Sequence, residues 1–223
     1  MGHRPVPSIQ DSTGTLVLPL WDIHGIMKDQ WTFIPIDDIP DIEKIQTEFR
    51  KMFDSLFRNM FKDDVGHDFG VMDAKKVRLF APTYINFLKS LGIDDTLKSV
   101  AFSGSQGENR MNCPIHIDSK YPDETCPGLN IPITGCEKSW TVFYDIGEHE
   151  GREDFSRVTK QYKNSVEWNE EEAVEIARVP ATQPTWVNIA VPHKPVTDHT
   201  DLRLIITSRF DNRIYNRMPG FFK

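Results

Sequence analysis

His116 and Asp118 stand two residues apart, with Ile117 between them. On an extended strand, residues i and i+2 point to the same face of the sheet. One imidazole nitrogen and one carboxylate oxygen can therefore converge on a single metal ion. A second imidazole, His193, follows much later in the chain, directly after Pro192. The three side chains predict a metal site.

The alternative is a chance pairing of polar surface residues, because the chain contains seven histidines and the pattern is short. The context of His193 favours a site, since the apolar segment 186–191 leads into it as a buried strand would. His199 competes for the second position, but no apolar strand precedes it, and we predict a turn residue there. Two imidazoles and one carboxylate form the ligand set of non-haem Fe(II) oxygenases.

The three cysteines show no Cys-x-x-Cys spacing. This argues against a zinc ribbon and against a disulfide framework. Cys113 and Cys126 flank the His116 segment, so a cysteine ligand remains an alternative.

The composition is that of an ordinary globular protein, with 223 residues, 39% hydrophobic and 26% charged side chains. The length suits one large domain with a real core. A net charge of −7 argues against duplex nucleic acid as a partner. No apolar run reaches the length of a membrane span, and the N-terminal residues lack the apolar core of a secretory signal. We therefore expect a cytoplasmic protein that does not contact membranes.

Residues 1–97 are predicted to form a helical N-terminal part with edge strands. Apolar residues recur at helical intervals from Ile42 to Phe61, with Asp41 as N-cap. A second helix is predicted over 82–91, ending at Gly92. The segments 16–21 and 31–36 are candidate strands, and Pro19 favours an edge position for the first. The segment 63–68 is predicted to be a polar loop.

Residues 98–212 are predicted to be mainly β. Short strand-like runs alternate with turn residues, and they cover 99–102, 129–133, 139–144, 185–190 and 202–210. The segments 104–109 and 148–157 are predicted to be loops, and 165–179 a helical turn leading into a strand. Residues 213–223 are treated as a C-terminal tail. The predicted fold class is α+β and mainly β: one domain, with helices packed on a barrel or sandwich.

Over residues 98–212 the sequence resembles the Fe(II)/2-oxoglutarate-dependent dioxygenases, whose core is a double-stranded β-helix of the jelly-roll or cupin-like kind. That superfamily carries His-x-Asp/Glu, a distal His and an Arg or Lys about ten residues later. The matching residues here are His116, Asp118, His193 and Arg203. The usual Ser two residues after the Arg is absent. Instead, the alternation Arg203, Ile205, Thr207, Arg209 resembles a strand of the nucleic-acid demethylases related to AlkB, with Ile in place of Asn.

The resemblance implies roles for these residues. The metal ligands would be His116, Asp118 and His193, and 2-oxoglutarate and O2 would fill the remaining positions on Fe(II). The second carboxylate of 2-oxoglutarate needs a buried partner, for which Arg203 or Arg209 is suited. Further candidate contacts for the co-substrate are Asn130, Tyr144 and Thr207, each of which could equally make a structural hydrogen bond.

The resemblance implies a hydroxylase that acts on an amino acid, a small metabolite or a peptide side chain and forms succinate. Two alternatives stay open. One is a non-catalytic jelly-roll protein that serves binding or assembly, and it predicts tolerance of His116→Ala. The other is a cupin-type metalloenzyme without 2-oxoglutarate, in which Arg203 does not matter. The sequence carries no indication of the oligomeric state.

Overall fold

The computed structural model describes residues 9–10, 16–21, 27–58, 66–107, 113–118, 127–149, 151–153, 166–198 and 200–222. For residues 9–10, 16–21, 27–30, 66–69, 152–153 and 172 the description is confined to the backbone. The predicted helical residues Met60 and Phe61, the predicted turn residue His199, and Cys126 lie outside the described residues.

The strands, in chain order, are β1 (Ile9–Gln10), β2 (Leu16–Trp21), β3 (Met27–Trp31), β4 (Phe33–Pro35), β5 (Gly66–Asp73), β6 (Leu97–Gln106), β7 (Ile115–Ile117), β8 (Gly128–Thr134), β9 (Ser139–Asp145), β10 (Arg152–Glu153), β11 (Val166–Trp168), β12 (Val174–Pro180), β13 (Thr185–Val187), β14 (His193–Thr197) and β15 (Arg203–Phe210). The α-helices are α1 (Ile42–Leu56), α2 (Ala74–Phe80), α3 (Pro82–Ser90) and α4 (Ile214–Arg217), and short 3-10 helices span Asp94–Thr96 and Glu170–Glu172.

Two six-stranded antiparallel sheets form the body of the protein. The major sheet has the order β4-β13-β8-β15-β6-β5, and the minor sheet has the order β10-β11-β7-β14-β9-β12. From β6 onward the chain places β6, β8, β13 and β15 in the major sheet and β7, β9, β12 and β14 in the minor one. Numbered 1 to 8 in chain order, these strands give the orders 6-3-8-1 and 2-7-4-5. This alternation is the topology of an eight-stranded jelly roll, so the predicted double-stranded β-helix is confirmed.

The outer face of the major sheet packs against the helices. On α1 the apolar stripe buries Ile45, Phe49, Met52 and Phe53 in one cluster with residues of β6, β8 and β15. These side chains recur every three to four residues, so they share one face of the helix. The sheet is therefore buried on both faces, and β15 accordingly buries Leu204 and Ile206 on one face and Arg203 and Ile205 on the other.

Polar contacts fix the helices in place on the sheet. The Glu48 carboxylate accepts hydrogen bonds from the Thr83 hydroxyl and from the backbone N–H groups at the start of α3, which otherwise lack helical partners. The buried Tyr84 hydroxyl is hydrogen-bonded to Ser208 on β15. The Gln46 side-chain amide donates to the carbonyl oxygen of Pro132 at 2.8 Å.

The segment 146–173, which we call the insertion, joins β9 to β12 and adds two strands to the minor sheet. Its strand β11 pairs with β7, and β10 pairs with β11. Trp168, only 5% exposed, packs with Ile115 and Ile117 on the outer face of the sheet. The predicted loop 148–157 thus contains β10, and the predicted helical turn in 165–179 is the 3-10 helix between β11 and β12.

Four local predictions are corrected by the structure. The strand β2 lies in the middle of the three-stranded sheet β1-β2-β3, because β1 pairs with Leu16 and Val17 on one side and β3 pairs with residues 17–21 on the other. Asp41 precedes α1 but has a left-handed backbone and makes no side-chain cap hydrogen bond. The predicted loop residues 67–68 belong to β5 and residues 104–106 to β6, since these strands pair along their whole length.

The C-terminal residues pack on the fold. Ile214 of α4 is buried, and the Phe222 ring contacts Trp31, Trp186 and Tyr215. The predicted helix 82–91 agrees with α3, and Gly92 follows it with a positive φ of 69°, the conformation expected of a helix C-terminus. Among the helices that the structure describes, none is long and apolar enough to cross a membrane.

Candidate metal centre and co-substrate site

The structure brings His116, Asp118 and His193 together between the two sheets. His116 and His193 occupy paired positions on β7 and β14, and Asp118 follows β7 directly. The Asp118 carboxylate lies 3.6 Å from Nε2 of His116 and 3.8 Å from Nε2 of His193. One ligand atom from each residue falls within 4.8 Å of the other two. This spacing allows the three residues to bind one metal ion from the same side.

Backbone carbonyl groups orient both imidazoles. Nδ1 of His116 donates to the carbonyl oxygen of Pro114 at 2.9 Å, and Nδ1 of His193 donates to that of Val191 at 2.8 Å. Because a carbonyl oxygen only accepts, Nδ1 of each ring carries a proton, and in the neutral imidazole that binds a metal the lone pair lies on Nε2, which faces Asp118. Histidine ligands of metals are usually fixed in this manner by a partner on the second nitrogen.

Arg209 holds the carboxylate of Asp118. Its Nη2 donates to Oδ2 of Asp118, and the backbone N–H of Asp118 donates to the carbonyl oxygen of Ile189 at 3.1 Å. Burial raises the pKa of Asp118, but the Arg209 guanidinium and the two imidazoles outweigh this effect and hold the pKa below its usual value. The carboxylate is therefore ionised, as a metal ligand must be.

The pKa values of the two imidazoles are shifted in opposite directions. Burial, with the charge of His116 as the next cause, lowers the pKa of His193 to about 4. Burial also lowers the pKa of His116, but Cys113, Asp118 and the Pro114 carbonyl oxygen outweigh it and raise the pKa to about 10. Sγ of Cys113 lies 3.8 Å from Nδ1 of His116, the nitrogen that faces away from Asp118. Cys113 thus lies behind the imidazole and is not among the grouped ligands.

Arg203 is buried at the other end of β15, with 2% of its surface exposed. Its Nε and Nη1 atoms have no hydrogen-bond partner among the described residues. Burial lowers the pKa of the guanidinium, while the neighbouring Cys136 and Cys113 raise it. Buried nitrogen atoms of a charged group are costly to leave without partners, so Nε and Nη1 fit an anionic partner bound between the sheets.

The inner face of the major sheet carries the other polar candidates. Thr207 of β15 pairs in register with Asn130 of β8, and both lie between Arg203 and Arg209 along the sheet. Oδ1 of Asn130 is buried without a partner among the described residues. Asn130 also lines a cavity of about 10 Å³ together with Thr141 and Ile205. The structure therefore brings Asn130 and Thr207 to the interior.

Tyr144 is not brought to the site. On β9, Phe143 lies beside the His193 ring, and the next residue points to the opposite face. There Tyr144 packs with Ile115 and Trp168. Burial, with Glu170 and Glu175 as further causes, raises its pKa to about 12. The predicted contact with the co-substrate is inconsistent with this placement.

Gly128 is a site residue that the sequence did not single out. A Cβ there would lie 3.0 Å from Nη1 of Arg209, 3.1 Å from the Ile189 side chain and 3.2 Å from that of Thr207. The glycine therefore makes room for the arginine that holds Asp118. The sequence offered one signal, because Gly128 directly precedes the predicted strand 129–133, but its cross-strand partner Arg209 could not be predicted from the sequence.

No protein-family model matches the sequence, and a comparison with curated proteins gives no significant match. Solved structures do resemble the fold. A prolyl-4-hydroxylase from Pseudomonas putida has a TM-score of 0.41 and 9% identity, over 82% of this chain and 93% of the other. A prolyl hydroxylase from Trichoplax adhaerens, in complex with a hypoxia-inducible-factor peptide, has a TM-score of 0.45 and 12% identity, over 85% and 87%.

A third similar structure is the non-haem α-ketoglutarate-dependent carbocyclase SnoK from nogalamycin biosynthesis, with a TM-score of 0.44 and 13% identity, over 82% of this chain and 80% of the other. The fold assignment itself rests on the strand order described above.

Proposed function

We propose that the chain is a non-haem Fe(II)- and 2-oxoglutarate-dependent oxygenase that hydroxylates an organic substrate. The observation that carries the proposal is the pairing of two features on one barrel. A cluster of two imidazoles and a carboxylate lies between the sheets, and the buried guanidinium of Arg203, whose Nε and Nη1 atoms have no partner among the described residues, lies near the start of β15. The proposed substrate is an amino acid, a small metabolite or a peptide side chain.

The donor set fits the metal. Imidazole and carboxylate suit Fe(II), and His116, Asp118 and His193 would leave positions open on one side of the ion. When bound, Fe(II) and 2-oxoglutarate supply the oxidative chemistry, in which O2 converts 2-oxoglutarate to succinate and CO2 and one oxygen atom enters the substrate. The chain's own residues bind and orient these groups.

The residues of the major sheet fit the co-substrate. Arg203 would bind the distal carboxylate of 2-oxoglutarate through two parallel hydrogen bonds, which its planar guanidinium favours. Arg209 is engaged with Asp118, so its role is to hold the metal-binding carboxylate in place. The Cα atoms of the two arginines are about 20 Å apart along β15, but the Arg203 guanidinium extends toward the metal centre, because Cys113, which contacts His116, is close enough to raise the pKa of Arg203.

The test is an anaerobic titration with Fe(II) and 2-oxoglutarate, monitored by the weak visible charge-transfer absorption of the chelate. Wild type should develop the band, Arg203→Ala should need at least about tenfold more 2-oxoglutarate because it loses charge-assisted hydrogen bonds, and Arg203→Lys should fall between them. The matched control is Arg178→Ala, which removes the same charge from the exposed outer face of the minor sheet.

Each result separates the proposal from its alternatives. A band that is insensitive to Arg203→Ala would contradict the proposed anchor. Metal binding without a 2-oxoglutarate band would favour a cupin-type metalloenzyme. No metal binding at all would favour a non-catalytic jelly-roll protein.

A further inference from the structure

Ser105 on β6 is the residue directly opposite Arg203 in the major sheet. The two residues are in register on neighbouring antiparallel strands, so they share a face and their Cβ atoms lie about 5 Å apart. Phe102, also on β6, packs in the cluster with the helices on the outer face. Because side chains alternate along a strand, Ser105 points to the opposite face. It therefore lies between the two sheets, as Arg203 does.

The hydroxyl of Ser105 is buried without a hydrogen-bond partner among the described residues. The residue is 1% exposed, and Arg203 is 2% exposed. Nε and Nη1 of Arg203 also lack a described partner. Buried polar groups in this condition are costly and uncommon. Two of them in register on adjacent strands indicate a shared partner that the described residues do not supply.

The chemistry of the two groups defines this partner. They do not bond to each other, although a guanidinium donates and a hydroxyl can accept. A partner that bridges them must therefore accept hydrogen bonds from both. An ionised carboxylate does so, because it has two accepting oxygen atoms and no donor. Its negative charge also compensates the buried guanidinium.

The thiol next to Arg203 is engaged elsewhere. Cys136 lies close enough to raise the pKa of the guanidinium, but its Sγ donates to the carbonyl oxygen of Thr134 at 3.2 Å. Ile205, the next inner-face residue of β15, is apolar and packs with Cys136. The hydroxyl hydrogen of Ser105, by contrast, is available to a ligand of Arg203.

Backbone contacts fix both strands at this level of the sheet. The N–H of Gly107, directly after β6, donates to the carbonyl oxygen of Thr200 at 2.8 Å. Gly135 has a φ of 63°, and a Cβ there would lie 2.1 Å from the carbonyl oxygen of Leu202, so the chain that enters β15 is closely packed against the end of β8. Binding residues on elements supported in this way keep a fixed geometry.

We propose that Ser105 binds the distal carboxylate of 2-oxoglutarate together with Arg203, by donating its hydroxyl hydrogen to a carboxylate oxygen. This inference rests on the proposed function and adds a co-substrate-binding residue on the strand next to the anchor. The alternative is a structural role, in which a buried water molecule bridges the two groups. Loss of the hydroxyl should change ligand affinity in the first case and stability in the second.

The experiment measures the Kd of two oxo acids by equilibrium dialysis with the Mn(II)-loaded protein. 2-Oxoglutarate has the distal carboxylate, whereas 2-oxopentanoate has the same chain length with a methyl group in its place. Ser105→Ala should raise the Kd of 2-oxoglutarate at least about tenfold, because it removes a hydrogen bond to a charged group, and leave that of 2-oxopentanoate unchanged. Ser105→Thr keeps a hydroxyl and should recover most of the affinity. Without ligands, Ser105→Ala should keep the wild-type Tm, since no described partner is lost.

Ser103→Ala is the matched control. It removes the same hydroxyl from the same face of β6, opposite Ile205, and should leave the Kd of both oxo acids unchanged. The inference is overturned if Ser105→Ala binds 2-oxoglutarate as wild type does, if it weakens both oxo acids equally, or if Ser103→Ala has the same effect. A lower Tm of Ser105→Ala with an unchanged Kd would assign the hydroxyl to a structural water and overturn the inference as well.

Glutarate separates this inference from the proposed function. It carries both carboxylates but no oxo group, so it cannot chelate a metal as 2-oxoglutarate does. Glutarate binding that depends on Ser105 and Arg203, with no chelate band for Fe(II) and 2-oxoglutarate, would retain the carboxylate site and contradict the oxygenase. A chelate band that weakens in Arg203→Ala but not in Ser105→Ala would retain the oxygenase and overturn the inference.

Discussion

Replacing Arg203 with methionine should stabilise the protein without ligands and destabilise it relative to wild type with them. Without ligands, wild type carries a buried guanidinium whose Nε and Nη1 atoms lack a described partner. Exchanging a buried charge for an apolar side chain of similar volume is neutral to stabilising by about 1–4 kcal/mol, and we expect about 2 kcal/mol here. For a chain of this length that corresponds to a Tm increase of about 4–8 °C.

Ligands should reverse the order of stability of wild type and Arg203→Met. With Mn(II) present and 2-oxoglutarate about 100-fold above its Kd, wild type gains about 2.7 kcal/mol from the binding of 2-oxoglutarate, whereas Arg203→Met keeps the stabilisation by the metal and gains little from 2-oxoglutarate. Urea unfolding with and without 2-oxoglutarate, in the presence of Mn(II), measures both quantities. Arg178→Met is the control, because Arg178 is half-exposed and already paired with Glu175, so the change should leave the ligand effect intact.

The refuting result is specific. If Arg203→Met is less stable than wild type without ligands and gains equally from 2-oxoglutarate, then Arg203 has a structural partner and does not bind the co-substrate. The reasoning about an unpaired buried charge would then be wrong at its first step.

Three further predictions follow from the contacts at the site and in the core. Asp118→Ala should weaken Co(II) binding at least about 100-fold, since it removes the carboxylate from the ligand group that the described residues form, and a visible absorption titration measures this; unchanged affinity would exclude the proposed centre. Gly128→Ala should weaken Co(II) binding about 10–100-fold, the usual effect of disturbing a residue that orients a metal ligand, because the new Cβ presses on Arg209; an unchanged affinity would mean that Arg209 does not orient the carboxylate. Tyr84→Phe should lower the unfolding free energy by about 1–3 kcal/mol, because Ser208 is left buried without its partner; a stability equal to wild type in urea unfolding would contradict this.

The sequence predicted the parts of the fold whose signal is local. The apolar residues of α1 recur at helical intervals within one segment. This local pattern correctly identified the buried residues Ile45, Phe49 and Met52. The strands β8, β9 and β15 were found because their apolar runs are bounded by turn residues. The proximity of His116, Asp118 and His193 followed from strand alternation together with the resemblance of the motif to a known superfamily.

The parts that the sequence did not predict depend on contacts between distant segments. Tyr144 and Phe143 face opposite sides of β9, but the insertion covers the outer side, so both faces of the strand are apolar and the pattern gives no direction. The strand β5 contains polar residues that favour a loop, and its pairing with β6 along the whole length overrides that preference. Gly128 is placed against Arg209 only by the pairing of β8 with β15, which no local pattern contains.

The most direct test of the central claim is the stoichiometry of turnover. Wild type with Fe(II), O2 and 1-¹⁴C-labelled 2-oxoglutarate should release labelled CO2 and form succinate in a 1:1 ratio, and Asp118→Ala and Arg203→Ala should both suppress the two products together. Succinate and CO2 formation that persists in Asp118→Ala, or the absence of both products from iron-loaded wild type with a panel of amino acids, small metabolites and peptides, would contradict the account.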